Sequence, residues 1–231
     1  MSFTGTPDLA LLGALLGDRA RAAMLDALMG GGSLSATELA AHAAVTRATA
    51  RSHLRRLLDG ELVMVEPRGK RRLYSLAGTD VARWLETCGA LAPQHRAWTT
   101  EQQSRAAQFR LARVCYDHLA GAFGVAFTEM LLKQRYLRNS SGMFSLSRSG
   151  HAWAAAFGLD VAVLLRGRRP LTRACLDVTE RRPHLAGALG AAIYQRLHAD
   201  GWIRRARGSR ALHLSDKATA FLSIPSRPGM R

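Results

Sequence analysis

A chain of 231 residues with 33 Lys plus Arg against 17 Asp plus Glu carries a formal charge of +16, which suits a polyanionic partner, and its length accommodates two ordinary domains. Three cysteines are too few for a disulfide framework, and the longest nearly uncharged apolar run, AWAAAFGLDVAVLL at 152–165, is too short to cross a bilayer. The opening MSFTGTPD lacks the basic lead of a secretory signal, so the expected location is cytoplasmic, without membrane association. Only Lys70, Lys133 and Lys217 are lysines, so an Arg-rich coding bias is a second source for the charge.

From Pro7 to Gly30 two helical patterns meet at a break formed by Gly17 and Asp18. SATE at 35–38 is a capping box in which Ser35 and Glu38 exchange hydrogen bonds with each other's backbone amides, and it opens a helix that ends near Ala44. TRATARSHLRRLLDG follows as a second helix, capped by Thr46 and closed by Gly60. Its Ala50, Leu54, Leu57 and Leu58 form one buried stripe. The other faces carry Arg47, Thr49, Arg51, Ser52, Arg55 and Arg56, the chemistry needed for phosphates and guanine edges in a major groove. ELVMVEPRGKRRLYSL then reads as a hairpin of strands 62–66 and 72–76, with Arg68, Lys70, Arg71 and Arg72 at a charged tip. A helix-turn-helix followed by such a hairpin is the order of a winged helix, whose wing reaches the backbone or a minor groove.

The run at 34–76 resembles the DNA-binding core of ArsR-type bacterial repressors. The resemblance rests on Ser-x-x-x-Leu-Ala from Ser35, His-Leu-x-x-Leu at 53–57, Gly-x-x-Val at 60–63 and the closing Tyr-x-Leu, and it covers roughly residues 9–90. It implies that Thr46, Arg47, Thr49, Arg51, Ser52, Arg55 and the wing residues Arg68, Lys70 and Arg71 contact double-stranded DNA. It also implies that the first helix and TDVARWLETCGAL join two chains over a near-palindromic operator. The sequence departs from metal-sensing members: TELAAHAAV holds no cysteine, and the last helix offers only Cys88 and, farther on, His95. His53 is expected to be structural or to lie near a phosphate.

PQHRAWTTEQQS at 93–104 reads as a linker, giving domains 1–98 and 99–231. HLAGAFGVA from residue 118 returns as HLAGALGAA from residue 184, matching at seven of nine positions. Each copy leads to a short alternating strand, MFSLS or ALHLS, and a further helix. The expected fold is therefore mainly α with short β-hairpins: an N-terminal winged helix-turn-helix and a C-terminal domain of two winged-helix-like repeats, about 111–160 and 171–224. Gly121, Gly124, Gly187 and Gly190, read as helix-interior glycines, predict two closely crossing helices.

Cys-x-Asp precedes each copy, in CYDH at 115–118 and CLDVTERRPH at 175–184, the second with six inserted residues. A pseudo-twofold would bring Cys115, Asp117 and His118 together with Cys175, Asp177 and His184. Two Cys and two His suit zinc or another transition metal, with the aspartates behind them. Thiol sensing, with thiolates favoured by Arg113 and Arg173, is a second reading. A third is a small-molecule pocket lined by Tyr116, Phe123, Trp153 and Trp202. Plain packing of buried thiols, capping aspartates and carbonyl-bonded histidines stands beside all three.

The leading functional expectation is a homodimeric DNA-binding repressor released by a metal, thiol or small-molecule signal in its C-terminal domain, and not an enzyme. An architectural nucleic-acid protein without inducer is the alternative, with a Cys/His enzyme behind it.

Overall fold

The computed structural model describes residues 8–69, 71–93, 99–206 and 208–223; Lys70 and His95 lie outside them. The chain forms two compact units, Met1–Ala82 and Arg83–Arg231. Where composition suggested a break near residue 98, this division falls within a helix, α5 (Thr79–Leu91).

In the N-terminal unit, α1 (Leu9–Leu16) and α2 (Arg19–Leu28) are capped by Asp8 and Asp18, whose carboxylates accept from the amides of Leu11 and Arg21. The short β1 (Leu34–Ser35) leads into α3 (Ala36–His42), and both bonds of the Ser35/Glu38 capping box are present. α4 (Arg47–Asp59) starts at its Thr46 cap and buries Ala50, Leu54 and Leu57 against Met24, Leu25, Leu28 and Leu39 in the same core. Leu58, expected in the buried stripe, is half-buried. β2 (Val63–Arg68) and β3 (Arg71–Leu76) pair antiparallel from Val63↔Leu76 out to Arg68↔Arg71, and β1 adds to the other edge of β3. This is the winged helix-turn-helix, with a tighter wing tip than the sequence pattern gave.

In the C-terminal unit, the tract read as linker runs into a helix: Thr99 and Gln102 form a capping box, and α6 (Thr100–Leu111) begins there. Two stretches of matching element order follow. The first is the hairpin β4 (Arg113–Cys115)–β5 (His118–Ala120), α7 (Gly121–Lys133), the hairpin β6 (Leu137–Ser140) and β7 (Met143–Leu146), and α8 (Arg148–Ala156). After α9 (Val161–Leu165), which Asp160 caps, comes the second: β8 (Arg173–Leu176) with β9 (Pro183–Ala186), α10 (Gly187–Ala199), β10 (Ile203–Arg205) with β11 (Leu212–Leu214), and α11 (Asp216–Ser223). α10 packs on β5 and α7 on β9, so each helix covers the other stretch's hairpin. Phe123, Phe127 and Leu131 of α7 and their counterparts Leu189, Ile193 and Leu197 of α10 share the core with Leu119 and Leu185.

The repeated phrase therefore does not form crossing helices. His-Leu-Ala is a strand in both copies, and the first glycine is the junction to the helix, with φ +76° at Gly121 and +85° at Gly187. A Cβ on Gly121 would stand 2.7 Å from the Arg110 carbonyl oxygen, and one on Gly187 2.8 Å from that of Pro170. These glycines are required by a left-handed backbone at a sharp strand-to-helix turn, not by helix-to-helix contact.

A buried ion network fastens α5 to the first hairpin. Glu86, on α5, accepts from Arg113 at 2.8 Å and from Arg210 at 2.8 Å, and Arg113 also pairs with Asp177 at 2.9 Å. Burial would raise the Glu86 carboxyl, but the Arg210 and Arg113 guanidiniums outweigh it and hold it at about 2.

Gly121→Ala and Gly187→Ala should each destabilise the protein by well over about 1 kcal/mol, because both conformation and space are refused. Gly201→Ala, at φ +72° but with open space around it, should cost only the left-handed conformation, about 1–2 kcal/mol; urea midpoints compare the three. Glu86→Gln should cost about 3–5 kcal/mol at neutral pH by leaving buried guanidiniums under-compensated. A depressed carboxyl stabilises the fold above its ordinary value of 4.5 and loses that contribution as pH falls toward about 2. The wild-type advantage over Glu86→Gln in pH-dependent unfolding should therefore shrink across that window.

Candidate functional site

Thr46 is positioned by its role as cap: its hydroxyl accepts from the Thr49 amide at 3.2 Å and lies 2.9 Å from the Thr49 hydroxyl. Beyond it Arg47, Thr49, Arg51, Ser52 and Arg55 are exposed. Arg47 and Arg51 of α4 converge with Arg71 and Arg72 of β3 on one groove of about 550 Å³, lined also by Ser35, Thr37, Glu38 and Tyr74. Four arginines thus line one concavity, beside a helix N-terminus whose free amides favour anions. Glu38, the acid in this groove, is held charged by hydrogen bonds from the Ser35 hydroxyl and amide, which keep its carboxyl below the usual range.

Ser52, Arg55 and Arg68 are exposed but outside the groove lining, and Lys70 lies outside the described residues. His53 is tied down within the unit: its Nδ1 is 3.3 Å from Arg21 and 3.7 Å from the Asp18 carboxylate.

In the C-terminal unit the two Cys-x-Asp segments meet. β4 and β5 pair Cys115 with His118 across a two-residue turn in which Tyr116 takes φ +60°, and β8 and β9 pair Cys175 with His184 in the same way. The inserted residues of the second copy form the longer loop that leaves and re-enters at Asp177 and Arg182, joined by a 3.0 Å backbone bond. The ligand-type atoms of Cys115, His118, Cys175 and His184 all lie within 4.8 Å of one another, and all four side chains are buried. The two imidazoles stack with centroids 5.0 Å apart. Among the described residues, these four form the one cluster of this kind placed to hold a metal ion.

A carboxylate stands behind each imidazole. Asp117 Oδ1 is 3.2 Å from His118 Nδ1, and Asp117 is itself held by Arg169. Asp177 Oδ2 is 3.8 Å from His184 Nδ1, beyond hydrogen-bond reach. Asp177 is fully buried and accepts from the amides of Gly121, Thr179 and Glu180, from the Thr179 hydroxyl and from Arg113. Burial opposes its ionisation, but the Arg113 guanidinium and these amides hold its carboxyl well below the usual range. His118 Nε2 and both ring nitrogens of His184 are buried with no hydrogen-bond partner.

Two of the sequence expectations change here. Cys115 was expected to gain thiolate character from Arg113; instead its neighbour Cys175 and burial push the thiol up to about 12, and the Arg113 guanidinium is taken by Glu86 and Asp177. Three of the four aromatic residues suggested for a small-molecule pocket are packing groups: Phe123 is fully buried, Trp153 stacks on Tyr136 and Phe157, and Trp202 packs against the same core, while Tyr116 is half-buried at the turn between β4 and β5. Glu86 and Arg169, which brace the cluster's surroundings, carried no sequence signal, because their partners lie far along the chain.

A family model described as a helix-turn-helix domain matches residues 16–66. The chain is 34% identical over 209 residues to a Bacillus subtilis (strain 168) protein named as the uncharacterized HTH-type transcriptional regulator YdfF, covering 90% of this chain and 92% of that one. Among solved structures it is similar to the homodimeric winged helix-turn-helix DNA-binding domain of Mb0332 from Mycobacterium bovis, a possible ArsR-family regulator, at 26% identity. That similarity covers 42% of this chain and 100% of that fragment, with a TM-score of 0.35. It is also similar to the cadmium sensor CMTR from Mycobacterium tuberculosis, at 28% identity over 39% of this chain and 98% of that one, with a TM-score of 0.30. With a helix-turn-helix domain at 16–66 and a relationship to YdfF that spans nine-tenths of its length, the chain belongs to the HTH-type transcriptional regulators.

Proposed function

We propose that this regulator is a homodimeric repressor that recognises a near-palindromic operator and is released by a chemical signal registered in its C-terminal unit. The observation that carries the DNA-contact assignment is the groove in which Arg47 and Arg51 converge with Arg71 and Arg72. Arg47, Thr49 and Arg51 at the start of α4 read base edges or adjacent phosphates, while Arg68 and its neighbours on the wing hold the backbone. Dimerisation is supported by apolar surface that one chain leaves uncovered: Leu9 of α1 is 77% exposed and Leu91 at the end of α5 is 81% exposed. Release follows from a population shift, since only a signal that binds one dimer geometry better than the other changes operator affinity.

DNA fragments retained by the full-length protein from a random pool should share an inverted repeat. Against the recovered site, Arg47→Ala and Arg51→Ala should each cost about 1–3 kcal/mol of affinity and far less on random DNA. Arg68→Ala should weaken both DNAs alike and lower the salt-dependence slope by about 1. No shared sequence, with equal losses on both DNAs for every variant, would replace the operator reading with an architectural one.

A further inference from the structure

We propose that Cys115, His118, Cys175 and His184 bind one zinc-class divalent ion in a closed tetrahedral site, which clamps the two β-hairpins of the C-terminal unit together. The site stands on the geometry of that unit alone; its regulatory consequence rests on the reading of the unit as an effector.

The donor set comes in two matching halves. Each hairpin contributes one sulfur and one imidazole from a cross-strand pair, and the pairs face each other within 4.8 Å. Tetrahedral zinc with bonds of about 2.0–2.3 Å requires donor separations of roughly 3.3–3.8 Å, so donors already within 4.8 Å of one another need close by only about an ångström. Two sulfurs and two imidazoles, with no carboxylate among the four donors, select zinc or a similar thiophilic ion over magnesium or calcium. On binding, both thiol protons leave to solvent, and the two thiolates neutralise the dication, which a buried site demands.

The independent sign of a missing ligand is the pair of imidazoles. His184 is fully buried with neither ring nitrogen bonded, and His118 leaves Nε2 unbonded at a tenth or less of its surface exposed. Native interiors rarely leave such groups unpaired. Asp117 engages His118 at Nδ1 and so leaves Nε2 as the buried, unbonded nitrogen available to an ion. Because every donor is buried, no coordination position stays open to water, as in structural rather than catalytic zinc sites.

The same hairpin carries the connection outward. Asp177 lies beside His184 and holds Arg113, and Arg113 holds Glu86 on α5. Fixing the second hairpin through Cys175 and His184 therefore fixes the carboxylate to which α5 is anchored, so occupancy governs how firmly residues 83–91 are held.

Full-length protein purified without chelator, then refilled with zinc, should carry one ion per chain. Cobalt in its place should show tetrahedral ligand-field bands and sulfur-to-metal charge transfer. Cys88→Ser should keep the full complement, while Cys115→Ser and Cys175→Ser should each lose the ion, with circular dichroism identifying any variant that is unfolded. Less than roughly a tenth of an ion per chain after refilling, octahedral cobalt bands, or a Cys115–Cys175 disulfide in the reduced-buffer preparation would overturn the site. Amide exchange across 83–91 should slow at least about tenfold on refilling the wild type; unchanged exchange in fully loaded protein would overturn the connection to α5. Operator retention by the same loaded samples is read separately, since its absence defeats the repressor reading and leaves the ion count untouched.

Discussion

A carboxylate taken wholly out of water survives only if its lone pairs are filled, and Asp177 fills them from several directions at once. The amide of Gly121 comes from the start of α7, the amides of Thr179 and Glu180 from its own loop, and the guanidinium from Arg113 on β4. Those demands bring the loop between β8 and β9 to the first hairpin and to the junction where α7 begins. Arg113, fully buried as well, also donates to Glu86. Much of the C-terminal unit's arrangement around α5 follows from the cost of burying these charges unpaired.

The strand-to-helix junctions obey a related constraint. A strand that must turn at once into a helix leaning back on it needs a left-handed residue at the corner, and both copies place glycine there. The helices then lie across each other's hairpins, which is what sets Cys115 with His118 opposite Cys175 with His184. The closeness of these four side chains is a product of backbone turning and apolar packing, with Leu119, Leu185 and the helix residues around them forming the core.

The N-terminal unit separates its tasks more simply. One stripe of α4 is spent on the core, which leaves the remaining faces free to display arginines, and the pairing of β2 with β3 brings Arg71 and Arg72 alongside Arg47 and Arg51. The caps by Ser35 and Thr46 fix where α3 and α4 begin, and so the angle at which the first turn of α4 is presented.

Local chemistry made the N-terminal unit legible. A capping box, a stripe of leucines at helical spacing and two β-rich runs around a Pro/Gly tip act within a few residues of each other, so the sequence alone determined the winged helix-turn-helix and its exposed arginines. The repeated phrase and its paired Cys-x-Asp were legible as a repeat, but their conformation was not. A glycine after His-Leu-Ala reads equally well as a helix interior or a corner, and only the carbonyls of Arg110 and Pro170, brought close by the fold, decide for the corner. The convergence of two cysteines and two histidines, the partners of Arg113 and the burial of Asp177 were likewise decided by tertiary structure. Contacts between residues tens of positions apart depend on how helices pack and where chains turn, and no local spacing records that.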